Sequence, residues 1–226
     1  DEFFMKRVGG LKRLVWAGVV SLSIDGMTPS QQLSAIRATV IPMLQEQART
    51  FTEDILPSLA EQGIHVLEWD QLTEAEKDWG KAYFDENVFP VLTPFAVDPG
   101  HPFPFLSNLS LSLGVTLRHE GKEERLFARI KVPDVLPRWV RTETDEFPDE
   151  FRFVSIVDVI RHNLDELFEG LEVLSVTPFR VTRNADVERD EEDAEDLLDL
   201  IEQELRERRF ARCVRLEHEP NADPWT

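Results

Sequence analysis

The chain has 226 residues, of which 42% are hydrophobic and 31% charged, with a formal net charge of −19. That length allows one or two domains with a sizeable core, and no apolar run reaches the roughly 20 residues that a membrane-spanning helix needs. The negative balance argues against non-specific binding to nucleic acid or to anionic membranes, and the single cysteine, Cys213, excludes an internal disulfide and fits a reducing compartment.

Asp1 to about Leu22 reads as a helix already in progress, because Phe3, Phe4, Arg7, Leu11 and Leu14 share a face and no capping residue precedes Asp1. The chain is therefore expected to begin inside an element, as a piece of a longer protein. Asp25-Gly26 is a turn signal. Thr28 followed by Pro29 starts the next helix, with a hydroxyl cap and proline at the first helical position. Leu33, Ile36, Val40, Ile41 and Leu44 then repeat at helical spacing, Pro42 and Pro57 should kink or divide the stretch, and Gly63 should end it. A short extended piece, Ile64 to Leu67, precedes the capping box Thr73-Glu74-Ala75-Glu76. That box opens a helix with Trp79, Tyr83 and Phe84. Residues 1–88 thus read as an amino-terminal helical bundle.

Residues 89–108 carry five prolines and four phenylalanines. Proline fixes φ and removes a backbone donor, so the segment is neither helix nor central strand. It reads as a stiff connector whose rings are buried between two bodies. The hydrophobic period then changes from 3.6 to 2. Leu109, Leu111, Leu113, Val115 and Leu117 alternate with small or polar residues, as in a half-buried strand. Glu120-Gly121-Lys122 turns the chain into a second alternating run, which makes a hairpin. Phe151 to Val154 reads as a strand, Ser155 to Asp158 as the start of a helix to about Phe168, and Phe179 to Thr182 as a strand. A helix over about Asp190 to Arg209 and a strand over Phe210 to Glu217 complete a βαβ unit. The expected fold class is mixed α+β, a helical bundle (1–88) and a connector (89–108) followed by an α/β domain with a mixed sheet (109–226).

The charge is uneven. From Asn184 to Glu207 twelve acids face Arg189 and Arg206, whereas Asp1 to Gly18 has Lys6, Arg7, Lys12 and Arg13 against Asp1 and Glu2. The acidic run from Asp186 to Glu204 reads as a solvated helix face rather than a metal site. His65, His101, His119, His162 and His218 are scattered without metal-ligand spacing, and no glycine-rich phosphate loop occurs.

Three segments resemble one family. They are Asp1-Glu2-Phe3-Phe4-Met5-Lys6-Arg7-Val8-Gly9-Gly10-Leu11, the stretch from Pro90 through Asn108 to Leu113, and Thr177-Pro178-Phe179-Arg180-Val181-Thr182-Arg183-Asn184-Ala185-Asp186. Together they resemble signatures of polyphosphate kinase, the bacterial type that works through a phosphohistidine. The resemblance implies an enzyme that reversibly moves the γ-phosphate of ATP to polyphosphate with Mg²⁺. It implies a cytoplasmic homo-oligomer that dimerises through its second (head) domain, with membrane association left open. It places the nucleophilic histidine and the phosphate-holding arginines after Thr226, and an adenine-contacting asparagine before Asp1. No catalytic residue and no metal ligand is therefore expected here, the chain alone is expected to bind neither ATP nor Mg²⁺, and it is expected to be inactive. The candidate site residues are Lys6 and Arg7, facing the nucleotide or the polyphosphate path. The alternative expectation is a stand-alone, non-catalytic interaction module.

Overall fold

Thr28 ends an irregular stretch and caps a long helix: its Oγ1 accepts from the Gln31 amide at 3.3 Å, while its own amide donates to Gln31 Oε1 at 2.8 Å. This reciprocal pair satisfies two orphan donors at the start of α2 (Pro29–Thr50). The computed structural model describes residues 1–97, 103–185 and 210–225. They fall into two compact units.

The smaller unit comprises Asp1–Glu46, Leu106–Leu109 and Arg180–Glu217. It opens with a π-helical turn, Phe4–Val8, that runs into α1 (Gly9–Trp16). Helix α2 continues unbroken through Pro42. Of its 22 residues only Pro29 and Gln32 are buried, and Ile41, Met43 and Leu44 are exposed. The apolar repeat is present, but it does not line the core of a bundle among the described residues.

The larger unit comprises Gln47–Phe105, Ser110–Phe179 and His218–Thr226. The sequence suggested a kink or a division at Pro57; the helix is not divided there, and only its winding changes. A π turn, Phe51–Ile55, precedes α3 (Leu56–Ala60), with the proline in the first turn of α3. The residue four before Pro57 is Glu53, and the wider π winding there relieves the clash that a proline ring makes with that carbonyl. Gly63 ends the helix with φ 74°. Gly63→Ala is expected to cost about 1–2 kcal/mol, because a Cβ disfavours that left-handed conformation; a urea melt measures it.

Two sheets follow. Strand β1 (Ile64–Leu67) pairs in parallel with β6 (Phe151–Ser155), which pairs antiparallel with β5 (Trp139–Arg141). In the second sheet β2 (Pro94–Val97), β4 (Arg125–Lys131) and β3 (Leu111–His119) are antiparallel neighbours, with β7 (Leu171–Arg183) beside β3. In the smaller unit the end of β7 lies next to β8 (Cys213–His218). Gly121, φ 73°, makes the β3–β4 turn. Strand β3 starts only at Leu111, because Leu109 holds φ 60°. It is covered on both faces rather than one: Ser112 and Thr116 are as buried as Leu113 and Val115.

The mixed class, with helices first and sheets after, is the class the sequence implies. Several details differ. Helix α4 (Glu74–Tyr83) and the π turn Phe84–Val88 pack not in a helical bundle but on the sheets, where Phe84 and Val88 join Leu113, Ile130 and Val154 in one core. The Pro/Phe segment is not a connector with buried rings. Its first part forms a 3₁₀ turn, Phe89–Val91, and the edge strand β2, where a missing N–H is tolerated. Phe89, Phe95, Phe103 and Phe105 are each at least 36% exposed, with Phe103 stacked on Phe127 at 5.7 Å. The helix begun at Ser155 stops early, as α5 (Ile156–Arg161) followed by a 3₁₀ turn, Leu164–Glu166. Asn163 turns its side chain back to the Val159 carbonyl at 2.8 Å and competes with helix continuation. Strand β7 begins eight residues before Phe179, with Thr177-Pro178 inside it. Residues 98–102 and 186–209, with His101, the acidic run and the helix of the expected βαβ unit, lie outside the described residues.

Candidate functional site: a basic cluster at the opening turn

The π turn Phe4–Val8 of the smaller unit carries both candidate residues. An extra residue in a helical turn redirects the side chains beyond it, and i, i+4 spacing cannot reveal it in advance. The Lys6 ammonium pairs with Glu2 at 2.6 Å, its side chain 64% exposed. This contact holds the Glu2 carboxyl below its ordinary pKa. Arg7 donates to Gln32 Oε1 at 2.6 Å, and Gln32 Nε2 donates to the Met27 carbonyl at 3.4 Å. Arg7 is thus fixed against the first turn of α2, while Lys6 projects freely apart from its acid partner. The role of Gln32 left no signal in the sequence.

Around this turn the three signature segments meet. The Ala185 amide donates to the Met5 carbonyl at 3.0 Å. Asn108 Nδ2 approaches Met5 Sδ at 3.1 Å, and Asn108 Oδ1 accepts from the Arg183 amide at 2.7 Å. The Arg183 guanidinium in turn donates to the carbonyls of Leu106 at 2.9 Å and Ala211 at 2.6 Å. One asparagine therefore bridges the opening turn and the end of β7.

Beside it, strand alternation puts Arg215 and Glu217 on one side of β8, next to Arg180 of β7. Arg180 donates to Glu217 at 2.9 and 3.1 Å and to Asp1 at 3.1 Å. Arg215 pairs with Glu217 at 2.8 Å and with Asp1 at 3.6 Å. Its guanidinium lies 4.0 Å from the centre of the Phe4 ring, and Arg212 lies 5.0 Å from that of Trp16. Burial lowers the pKa of Arg215, with Glu217 opposing and Arg180 reinforcing the shift; it remains a cation. Among the described residues, Arg180, Arg183, Arg212 and Arg215 gather cations near the opening turn, with Asp1 and Glu217 as the acid partners of Arg180 and Arg215. Such a cluster can hold an oxyanion. It brings no imidazole, because the unit contains no histidine.

Three of the described histidines have other partners in the larger unit. His65 Nε2 is 3.3 Å from Glu150, the His162 ring stacks on Trp69 at 4.8 Å, and His218 Nδ1 lies 2.8 Å from the Glu219 carbonyl. Among the described residues no group of three or more His, Cys, Asp or Glu is arranged to hold a metal ion, and no helix is long and apolar enough to cross a membrane.

Two family models match the chain in order, the polyphosphate kinase N-terminal domain over residues 1–67 and the polyphosphate kinase middle domain over residues 75–226. The chain belongs to the polyphosphate kinase family. It is 47% identical over 222 residues to the polyphosphate kinase of Mycobacterium marinum, an alignment covering 96% of this chain and 30% of that protein. The Synechocystis polyphosphate kinase is 46% identical over 224 residues, covering 96% and 31%. The crystal structure of polyphosphate kinase from Porphyromonas gingivalis superposes with a TM-score of 0.70 at 26% identity, covering 91% of this chain and 31% of that one. The chain thus spans about a third of the length of these polyphosphate kinases. The middle-domain match starts within α4, the helix whose following turn packs on the sheets.

Proposed function

We propose that the chain forms part of a polyphosphate kinase that reversibly transfers the γ-phosphate of ATP to inorganic polyphosphate. In this reading it covers the adenine side of the nucleotide and builds the head through which the enzyme dimerises, while the histidine nucleophile belongs to another part of the polypeptide. The observation that carries the proposal is the meeting of the three signature segments beside a cluster of arginines, with no histidine among the described residues of that unit. Cations there attract and orient polyphosphate and ATP without taking part in bond breaking. Mg²⁺ accompanies the nucleotide phosphates; the described residues do not fit a site for it.

Lys6 and Arg7 face the nucleotide or the polyphosphate path in this proposal. Arg7, held by Gln32, is the better placed, because its donors are already fixed. In the full-length enzyme Arg7→Ala is expected to raise the apparent KM for ATP or shorten the product, by roughly tenfold for a lost charge-assisted hydrogen bond. Lys6→Ala is expected to act more weakly, since its ammonium is solvated and shared with Glu2. Labelled-phosphate transfer and product gels measure both, and unchanged KM and chain length in both variants would remove the assignment. The chain by itself is expected to transfer no phosphate from ATP. Transfer by the purified chain would overturn the placement of the nucleophile elsewhere.

A further inference from the structure

Arg129, in β4 of the larger unit, is 8% exposed. The alternation of β4 explains its position: Ala128 and Ile130 enter the core and Arg129 takes the opposite face, between Phe95 of β2 and Gly114 of β3. Its Nε donates to Ser112 Oγ at 3.1 Å, and one terminal nitrogen donates to the Phe105 carbonyl at 3.4 Å. The other terminal nitrogen is buried without a hydrogen-bond partner. Other arginines of this unit have carboxylates: Arg118 pairs with Glu172, Arg125 with Asp223, Arg152 with Glu76 and Glu150, and Arg161 with Glu219. Among the described residues no carboxylate pairs with Arg129, and burial alone acts on its pKa, lowering it. Among the described residues this buried arginine has no counter-charge. A water molecule would satisfy the orphan N–H, but it would not offset the charge; an anion does both.

We propose that Arg129 and Ser112 form a binding site for a single tetrahedral oxyanion of the phosphate class. The free terminal nitrogen of Arg129 donates to it. The Ser112 hydroxyl accepts from Arg129 Nε and so has its own proton to donate. Gly114, opposite Arg129 on β3, places no side chain beside the guanidinium. The site stands on geometry and does not depend on the functional reading above. The phosphate is either free orthophosphate or one unit of a phosphate chain.

Isothermal titration of the chain with inorganic orthophosphate and, separately, with tripolyphosphate, at constant ionic strength in chloride, tests this. Saturable binding of one anion per chain is expected, at least tenfold weaker in Arg129→Met and several-fold weaker in Ser112→Ala. Binding of orthophosphate assigns the site to the free ion, and binding of tripolyphosphate alone assigns it to a chain unit; either supports the site. In phosphate-free buffer Arg129→Met is expected to melt no lower than the parent, since it removes an uncompensated buried cation. Should that variant fail to fold, phosphate-dependent protection of the β3 and β4 amides from hydrogen exchange in the parent decides. No saturable binding of either probe, equal binding by parent and Arg129→Met, or unchanged exchange overturns the proposal.

Discussion

Glu76→Ala is expected to destabilise the larger unit by about 3–5 kcal/mol, the range for removing one partner of a buried ion pair. Glu76 is fully buried. Its Oε1 accepts from Arg152 Nε at 2.7 Å and from Thr142 Oγ1 at 2.9 Å. Its Oε2 accepts from the Thr73 amide at 3.0 Å and from a terminal nitrogen of Arg152 at 3.1 Å. The residue thus completes the cap of α4 and neutralises an arginine of β6 whose side chain is 12% exposed. Truncation would leave Arg152 with only Glu150, at 3.1 Å, and would orphan the Thr73 amide. Urea denaturation measures the loss. Replacing both members by methionine should recover much of it, because the desolvation cost of both charges disappears with the pair.

The same residue gives the unit an acid-sensitive component. Burial pushes the Glu76 carboxyl up, but hydrogen bonds from Arg152, the Thr73 amide and Thr142 outweigh it, and the net pKa lies below its ordinary value. The folded pKa is therefore below the unfolded one. The stabilisation is fully present above the ordinary carboxylate value of about 4.3 and is lost as pH falls through the folded value. Glu76→Gln should lower stability at neutral pH, and its gap to the parent should close as the medium is acidified below about pH 4. A gap that stays constant across that window would contradict the ion-pair account.

Phe84→Ala should cost a similar amount, about 3–5 kcal/mol, the range for deleting a large aromatic from a core. Phe84 is fully buried in the π turn after α4, edge-on to Phe89 with ring centres 6.1 Å apart. It belongs to the cluster that holds Leu113 and Val115 of β3 and Ile130 of β4. Because it packs on the sheet, its loss should accelerate hydrogen exchange at the β3 and β4 amides. Met43→Ala, on the exposed part of α2, should change stability by no more than about 0.5 kcal/mol. If Phe84→Ala left the exchange of β3 and β4 unchanged, the packing of this turn on the sheet would be disproved.

Local chemistry made several elements legible in the sequence. The hydroxyl cap at Thr28, the capping box at Thr73, the turns at Gly63 and Gly121, and the alternation of β3 and β4 are short-range signals with a direct steric or hydrogen-bonding cause. Strand β5 was not legible, because its three residues are too few for a period. The early start of β7 was hidden by Thr177-Pro178. The exposure of the four phenylalanines at 89–105 was misread because composition reports how apolar a segment is, not what lies over it.

The candidate site divides the same way. Lys6 and Arg7 stand out in the sequence as cations opening an otherwise acidic chain. Gln32, Asn108, Arg180 and Arg215 gain their roles only through contacts between segments far apart in the chain.

The sequence by itself determined the family, the succession of helices and then sheets, and the helix caps, since each rests on residues close together in the chain. Tertiary structure alone decided that the turn after α4 serves the sheet core, that Glu76 and Arg152 meet, and that Arg129 is buried with no counter-charge among the described residues. Burial and charge pairing depend on which distant segments come within a few ångströms of one another, and neither periodicity nor composition encodes that distance.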